Sequence, residues 1–397
     1  MSERRIRTHI RAKEHQFAAV VPRELLGVCR REMEQLGLDI LEESEAGVEF
    51  RGKLEACYLA NLWLRTAARV LCRFPAMKVG AREELFSKTA RLPWELWIDP
   101  RVAVRVDVYL NASRLTHTGW ARKAFQDALR KRFEGFGAGI SFVDSDPAAG
   151  PAAMEEEALV QRIMLRIEHN RCRISLDTSG AHLHQRGYRL KHAGAPLRET
   201  LAAALVLQSG WKPPEPFLDG MCGSGTAVIE AALLAGKIPP GRRRRFLFQR
   251  WPSFQEKTWQ YLLRKADEGV RDVAPARFIA VDHDPKAVAV ARENAVRAGI
   301  APWVAWHTMP FEKLDPLDLG LDRGLVFLNP PYGVRLQADR GLYERLLNHL
   351  GRCFAGWKAV VLAPERDLLV SGSVRPRKIR RLRHGGLPIS AGFYDFP

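Results

Sequence analysis

Three short segments gather residue types that could do chemistry. In Phe217–Thr226 (FLDGMCGSGT) an apolar run ends at Asp219, and a tight turn containing Gly223 and Gly225 opens a helical pattern. Glycines let backbone approach a ligand closely, a helix N-terminus offers amides, and a carboxylate beside the turn can accept from an ammonium or hydroxyl group. A dinucleotide fingerprint G-x-G-x-x-G wants Gly or Ala at its last position, where Val228 stands. The alternative is a purely structural glycine turn. The second segment, FIAVDHDP, ends a strand on Asp282, whose carboxylate could accept both ribose hydroxyls of an adenosine-containing cofactor. Asp284, just before Pro285, has the position of a helix N-cap and is assigned to capping. The third is LNPPYG (Leu328–Gly333). Asn329 offers an acceptor oxygen, the Pro330–Pro331 pair restrains the backbone and leaves the Pro330 carbonyl free, and Tyr332 offers a flat face for a base. Such a set can accept both protons of an exocyclic amine on a stacked ring. In isolation N-P-P-Y also fits a loop turn, the lesser reading, and its place at a strand end in the same chain as the glycine turn weakens that alternative further.

These segments need a scaffold that brings them to one edge. After Ala195 strands and helices alternate: PFLDGMC, a helix over Thr226–Ala235, ARFIAVD, a helix over Pro285–Ala298, WVAWHT, LVFLNP and KAVVLAP. Strands separated by helices predict a parallel sheet covered on both faces, with reacting groups at its carboxyl edge. The first half reads as mixed α+β. Residues 22–37 are expected to be helical with Gly37 as a C-cap, VEFRG a strand, Leu54–Arg73 a second amphipathic helix, WIDPRVAVRVDVYL a strand and Thr118–Phe133 a helix. RIMLRIEHNRCRISLDTS reads as a hairpin turning at His169–Asn170.

The 397 residues leave room for two or three domains, and 46% apolar with 27% charged residues excludes wholesale disorder. No apolar run reaches the length of a membrane span, so a soluble cytoplasmic chain is expected, without a membrane partner. Six cysteines without a C-x-x-C pair support neither zinc nor disulfides, and no metal is expected. The balance of 62 Lys+Arg against 45 Asp+Glu, +17, suits a polyanionic partner, nucleic acid before membrane. Candidate phosphate contacts are Arg122, Lys123 and Arg130–Arg132, the Arg242–Arg245 run, and the basic residues of 375–383. For the 242–245 run a solvated charged loop is the standing alternative.

The spacing D-x-x-x-G-x-G from Asp219 resembles the S-adenosyl-L-methionine turn of class I methyltransferases. Together with Asp282, Asn329–Gly333 and Arg335, it resembles the catalytic domain of THUMP-containing RNA guanine-N2-methyltransferases. The likeness extends upstream through LANLWLRTAARVL, ELFSKTARLPWELWI, ISLDTSGAHLHQRGYR and APLRETLAAALVLQSGW, segments similar to the bacterial 23S ribosomal RNA branch. The resemblance implies an α/β chain in three parts: a ferredoxin-like domain over 1–65, a THUMP RNA-binding domain over 66–190, and a Rossmann-like methyltransferase domain with a mostly parallel seven-stranded sheet over 191–397. It implies Pro196, Thr200, Asp219, Met221, Cys222, Gly223, Gly225, Thr226, Asp282, His283 and Met309 around S-adenosylmethionine. It implies Asn329, Pro330, Pro331 and Tyr332 around the guanine amine. Arg186, Arg189, Arg242, Arg243, Arg244, Arg245 and Arg335 join Arg122 and Lys123 as residues expected on the RNA.

Three departures from the family pattern stand out. Gly220 replaces a usual Pro and should loosen the turn; Met309-Pro310 replaces an Asp that would accept from the adenine amine; and HGGLPIS (384–390) only partly matches the usual ending. The second methyltransferase domain of some proteobacterial members is not expected, since the chain stops at Pro397. The expected activity is methyl transfer to guanine N2 in 23S ribosomal RNA. Alternatives are a transfer RNA guanine, adenine N6 in DNA, or a ribosome-assembly factor that binds RNA without catalysis.

Overall fold

The computed structural model describes residues 3–144, 160–189, 197–273, 277–331 and 339–397. They cluster as two compact units, Met1–Leu183 with Arg244–Arg264, and His184–Arg243 with Lys265–Pro397. No described helix is long and apolar enough to cross a membrane.

The first unit is built on strands β1 (His15–Val20), β2 (Asp39–Ser44), β3 (Gly47–Gly52), β4 (Arg69–Arg73), β5 (Met77–Lys78), β6 (Val104–Asn111), β7 (Gln161–Glu168) and β8 (Arg171–Asp177). Their order is β2-β3-β1-β4-β8-β7-β6, with β5 beside β8. Alternation sets the faces. Ile163, Leu165 and Ile167 of β7 are buried, while Arg162 and Arg166 take the other side. The β7–β8 hairpin turns at His169 and Asn170, both at positive φ (47° and 60°), as expected for a two-residue turn. Helices α1 (Glu3–Ile6), α2 (Leu26–Gln35), α3 (Leu54–Trp63), α4 (Arg82–Ala90) and α5 (Thr118–Glu134) complete this part.

The helix expected over Leu54–Arg73 stops at Trp63, and 69–73 is strand β4. The cause is distant in sequence. Glu32 of α2 accepts from the Arg65 and Thr66 amides at 2.9 and 3.1 Å, and also from the Thr66 hydroxyl, which takes the chain out of the helix. The LDTSG segment is equally structural. Thr178 Oγ1 donates to the Val70 carbonyl (2.8 Å), and Ser179 Oγ donates to Asn61 Oδ1 (2.7 Å), all buried.

The segment Arg244–Arg264, which carries FQRWPSF, belongs to this unit although it lies between the first helix and second strand of the other. Phe248 stacks on Tyr58 at 4.5 Å, and Trp251 Nε1 donates to Gln161 Oε1 at 2.8 Å.

The second unit holds β9 (Phe217–Asp219), β10 (Phe278–Asp282), β11 (Val304–Thr308), β12 (Gly324–Leu328), β13 (Trp357–Ala363), β14 (Lys378–His384) and β15 (Leu387–Asp395). The sheet order is β11-β10-β9-β12-β13-β15-β14. β9–β13 run parallel, and β15 is antiparallel to both neighbours. Helices α6 (Glu199–Ser209), α7 (Thr226–Ala235), α9 (Pro285–Ala298) and α10 (Arg340–Cys353) belong here, while α8 (Glu256–Glu268) starts in the Arg244–Arg264 segment. The bounds of α7 and α9 coincide with those read from the sequence. Strand order reverses direction of growth between β9 and β12, so a crevice opens at their carboxyl ends.

Candidate active site

At that crevice lies a cavity of about 600 Å³, within the range of small-molecule sites. Asp219, Met221, Cys222, Gly223 and Thr226 enter it from the turn after β9, Asp282 and His283 from β10, and Asn329, Pro330 and Pro331 from β12. Three strand ends thus deliver what the sequence scattered over more than a hundred residues. Thr200, Gly225 and Met309 are not among its lining residues. Pro196, Tyr332 and Arg335 lie outside the described residues.

The turn is held by its own residues. Gly223 has φ +51° and nothing within 4 Å of a would-be Cβ, so its backbone faces open space. Gly225, at φ +80°, sits where a Cβ would stand 3.0 Å from the Ala291 Cβ, so it lets α7 and α9 pack closely. Gly220 does not loosen the turn as expected. Its amide donates to the Phe327 carbonyl at 3.0 Å, a bond proline cannot make, and the Phe311 and Leu328 side chains fill the space a Cβ would need.

Asp219 accepts from the Val228 amide at 3.2 Å and is 2% exposed. Burial pushes its carboxyl up to about 7, against the lowering effect of that hydrogen bond, and the nearby Asp282 adds to the rise. Asp282 accepts from the Gly223 amide (2.9 Å) and the Asp284 amide (3.0 Å), so it ties β10 to the glycine turn; a carboxylate with two such bonds keeps lone pairs for a ligand. Asp284 caps α9 through the Lys286 amide, as expected. Burial raises the Cys222 thiol well above its ordinary range, which makes it a packing group and not a nucleophile.

At the β12 end, Asn329 Oδ1 is buried and has no hydrogen-bond partner among the described residues. A buried orphan acceptor is costly, and it points to a donor that arrives with a ligand. With the open Gly223 side and the Asp219 and Asp282 carboxylates, this donor-hungry set fits S-adenosylmethionine and an amine substrate.

Sequence reading missed Leu197, Ser224, Ala227, Phe327 and Leu342, and also Phe311 and Glu312, which follow the flagged Met309-Pro310 pair after β11. Met309 instead packs against the core, its amide on the Asp282 carbonyl at 3.0 Å, and the carboxylate on that rim is Glu312.

Two arginines expected on RNA are not available to it here. Arg186 is 3% exposed and pairs with Glu230 at 3.4 Å, which also accepts from the Tyr188 hydroxyl at 3.1 Å. Arg189 pairs with Glu199 at 3.1 Å and donates to Thr226 Oγ1 (2.8 Å) and the Leu197 carbonyl (3.0 Å), behind the cavity wall. Glu199 is pushed up to about 7 by burial, with Arg189 opposing. The 242–245 run is also partly committed. Arg242 pairs with Asp267, Arg244 donates to the Ala181 and His182 carbonyls, and Arg243 and Arg245 are exposed. Arg122 donates to the Val106 carbonyl and Lys123 pairs with Asp127.

Residues 186–387 match the RMKL-like methyltransferase domain, and residues 16–71 the RlmL ferredoxin-like domain. A putative RNA methyltransferase of Synechocystis sp. is 30% identical, over 96% of each chain. The ribosomal RNA large subunit methyltransferase K/L of Allochromatium vinosum is 35% identical over 96% of this chain, and the chain spans 52% of its length, about half, as for other such relatives. A crystal structure of SMU.472, a putative methyltransferase complexed with SAH, superposes with a TM-score of 0.81 at 27% identity, covering 97% of this chain and 99% of that one. A structure from Listeria monocytogenes described as a predicted N6-adenine-specific DNA methylase gives 0.82 at 30% identity, with 97% coverage of both. The cofactor of this fold is S-adenosylmethionine. On fold, site and kinship together, the chain belongs to the RMKL-like methyltransferase family.

Proposed function

We propose that the chain transfers a methyl group to the exocyclic N2 of a guanosine in RNA, with 23S ribosomal RNA as the substrate. The observation that carries the reading is Asn329 Oδ1, a buried acceptor without a partner among the described residues, in the same cavity as the glycine turn. When bound, S-adenosylmethionine supplies a methyl group on a positively charged sulfur. The Gly223 turn, Asp219 and Asp282 hold the cofactor. Asn329 Oδ1 and the Pro330 carbonyl accept hydrogen bonds from the two amine N–H groups, which favours a pyramidal nitrogen with its lone pair localised for in-line attack; the bond broken is methyl–sulfur, and the surplus proton on the nitrogen passes to solvent. The target ring must leave its helix to reach the strand edge; Tyr332, expected from the sequence to offer it a flat face, lies outside the described residues. The buried Cys222 leaves no role for a covalent enzyme intermediate in this scheme. An acceptor pair of this kind serves adenine N6 as well. Guanine N2 rests on the likeness to the ribosomal branch, and RNA on the names of the K/L and Synechocystis relatives, with the expectation from sequence resemblance of a THUMP domain over 66–190 in keeping with it.

The test is a nucleoside digest of total RNA and DNA from a deletion strain, complemented with wild type or Asn329→Ala. N2-methylguanosine should disappear from 23S RNA and return with wild type alone. In vitro, Asn329→Ala should lower kcat at least tenfold, about 1.4 kcal/mol, with SAH affinity unchanged. Turnover within about threefold of wild type refutes the polarising role. Loss of N6-methyladenine from DNA instead would replace the substrate, and loss from transfer RNA alone would refute the ribosomal assignment.

A further inference from the structure

The β14–β15 hairpin differs from the other basic segments in what its cations touch. Lys378, Arg380, Arg381 and Arg383 are all exposed, and among the described residues none has a carboxylate within ion-pair distance. In the other two basic segments several cations are engaged, Arg132 by Glu95, Lys123 and Arg130 by Asp127, and Arg242 by Asp267, while Arg243 and Arg245 are exposed. β14 is also the last strand of its sheet, with a neighbour on one side only. Basic side chains project to both faces, Lys378 and Arg380 to one, Arg381 and Arg383 to the other. Same-face neighbours recur about 6.6 Å apart. Leu382 is buried and Ile379 packs on the core, so the row is fixed in place. A strand edge crowded with uncompensated positive charge has a self-repulsion cost, and a bound polyanion removes it.

Register places this row at the reaction edge. Leu328, the last residue of β12, pairs with Val361, and Ala363 at the end of β13 pairs with Ser390 of β15. β15 begins three residues earlier, at Leu387 opposite His384. The hairpin therefore runs about 10 Å past the end of β13, on the side of the sheet where Asn329 lies. Its turn, Gly385–Gly386, is followed by Leu387, which is 52% exposed.

We propose, resting on the reading above, that this hairpin is the rail for the RNA strand that carries the target base. Lys378, Arg380, Arg381 and Arg383 contact its phosphates, and the hairpin leads the strand to the cavity mouth. The partner is the phosphate backbone flanking the flipped nucleotide, read without regard to sequence.

The experiment uses the full chain, a 23S RNA fragment that wild type methylates, and Arg380→Gln/Arg381→Gln/Arg383→Gln. Fluorescence titrations from 50 to 300 mM salt should show RNA affinity at least tenfold weaker at low salt. The logarithmic salt slope should shrink by about 2, at roughly 0.7 per lost contact on single-stranded RNA. KM for RNA should rise, with kcat within about twofold and SAH binding by calorimetry unchanged, the last showing an intact catalytic unit. A single charge reversal, Arg383→Glu, should move KM in the same direction, and it serves as the measurement if the triple variant fails to bind SAH. Unchanged affinity and salt slope in an SAH-binding variant overturn the rail. Wild type that binds RNA with this salt dependence yet methylates a different nucleobase overturns the N2 reading and leaves the rail standing.

Discussion

Replacing Asp219 by Asn tests whether the carboxylate beneath the glycine turn is a strained charge or a comfortable one. Asp219 is buried, and desolvation lifts it from the ordinary 3.8 to about 7. Its folded-state value is thus raised above the unfolded one. The sign follows: the protonated group's contribution to stability is present in full below about pH 4 and is lost as pH rises through about 7. A rise of roughly three units corresponds to on the order of 4 kcal/mol at full effect, as an upper bound. Asparagine keeps an oxygen to accept from the Val228 amide and carries no charge. Denaturant unfolding of wild type and Asp219→Asn without cofactor, at pH 5 and pH 8, should therefore show the variant gaining on wild type by up to about 2.5 kcal/mol between the two pH values. The same variant should bind SAH more weakly at pH 8, where the wild-type carboxylate is ionised and able to accept from a ligand's ammonium or hydroxyl. A stability difference constant to within about 0.5 kcal/mol between the two pH values would refute the reasoning, because a solvated Asp219 would be ionised in both states.

Glu312 lines the cavity on the rim after β11, whereas Met309 packs inward. Calorimetry should accordingly show SAH affinity falling about tenfold in Glu312→Ala and changing less than twofold in Met309→Ala, near 1.4 kcal/mol for the former; the reverse order would put the rim contact at Met309. Arg189→Met leaves Glu199 buried without its cation and should cost about 3 kcal/mol in unfolding free energy, with the protein's salt slope for RNA unchanged. A flattened slope in a folded Arg189→Met protein would return that arginine to the RNA surface.

Local rules sufficed where one stretch of chain carries its own instructions. The hairpin at His169–Asn170, the cap at Asp284–Pro285 and the bounds of α7 and α9 need only neighbouring residues, and all were legible in the sequence. So was the gathering of the candidate site: Asp219, Asp282 and Asn329 stand at the ends of three strands whose alternation with helices already implied a common edge.

What the tertiary structure decided is where partners distant in sequence compete with local preference. The apolar periodicity of Leu54–Arg73 continues unbroken on paper, but the Glu32 carboxylate takes the Arg65 and Thr66 amides and turns the chain into β4. Arg186 and Arg189 look like surface cations until Glu230 and Glu199, on helices brought alongside, bury them as pairs. FQRWPSF lies in the second half of the sequence, yet Phe248 packs on Tyr58 and Trp251 bonds Gln161, so the segment belongs to the first unit. In the sequence the basic run at 378–383 (KIRRLR) and the run at 242–245 (RRRR) both read as candidate phosphate contacts. Strand register alone sends one to an unpaired sheet edge with its charges free, while ion pairs and carbonyls occupy two of the other's arginines. Charge and periodicity are sums over residues in a row; which charge is neutralised is a distance, and only the folded chain sets distances.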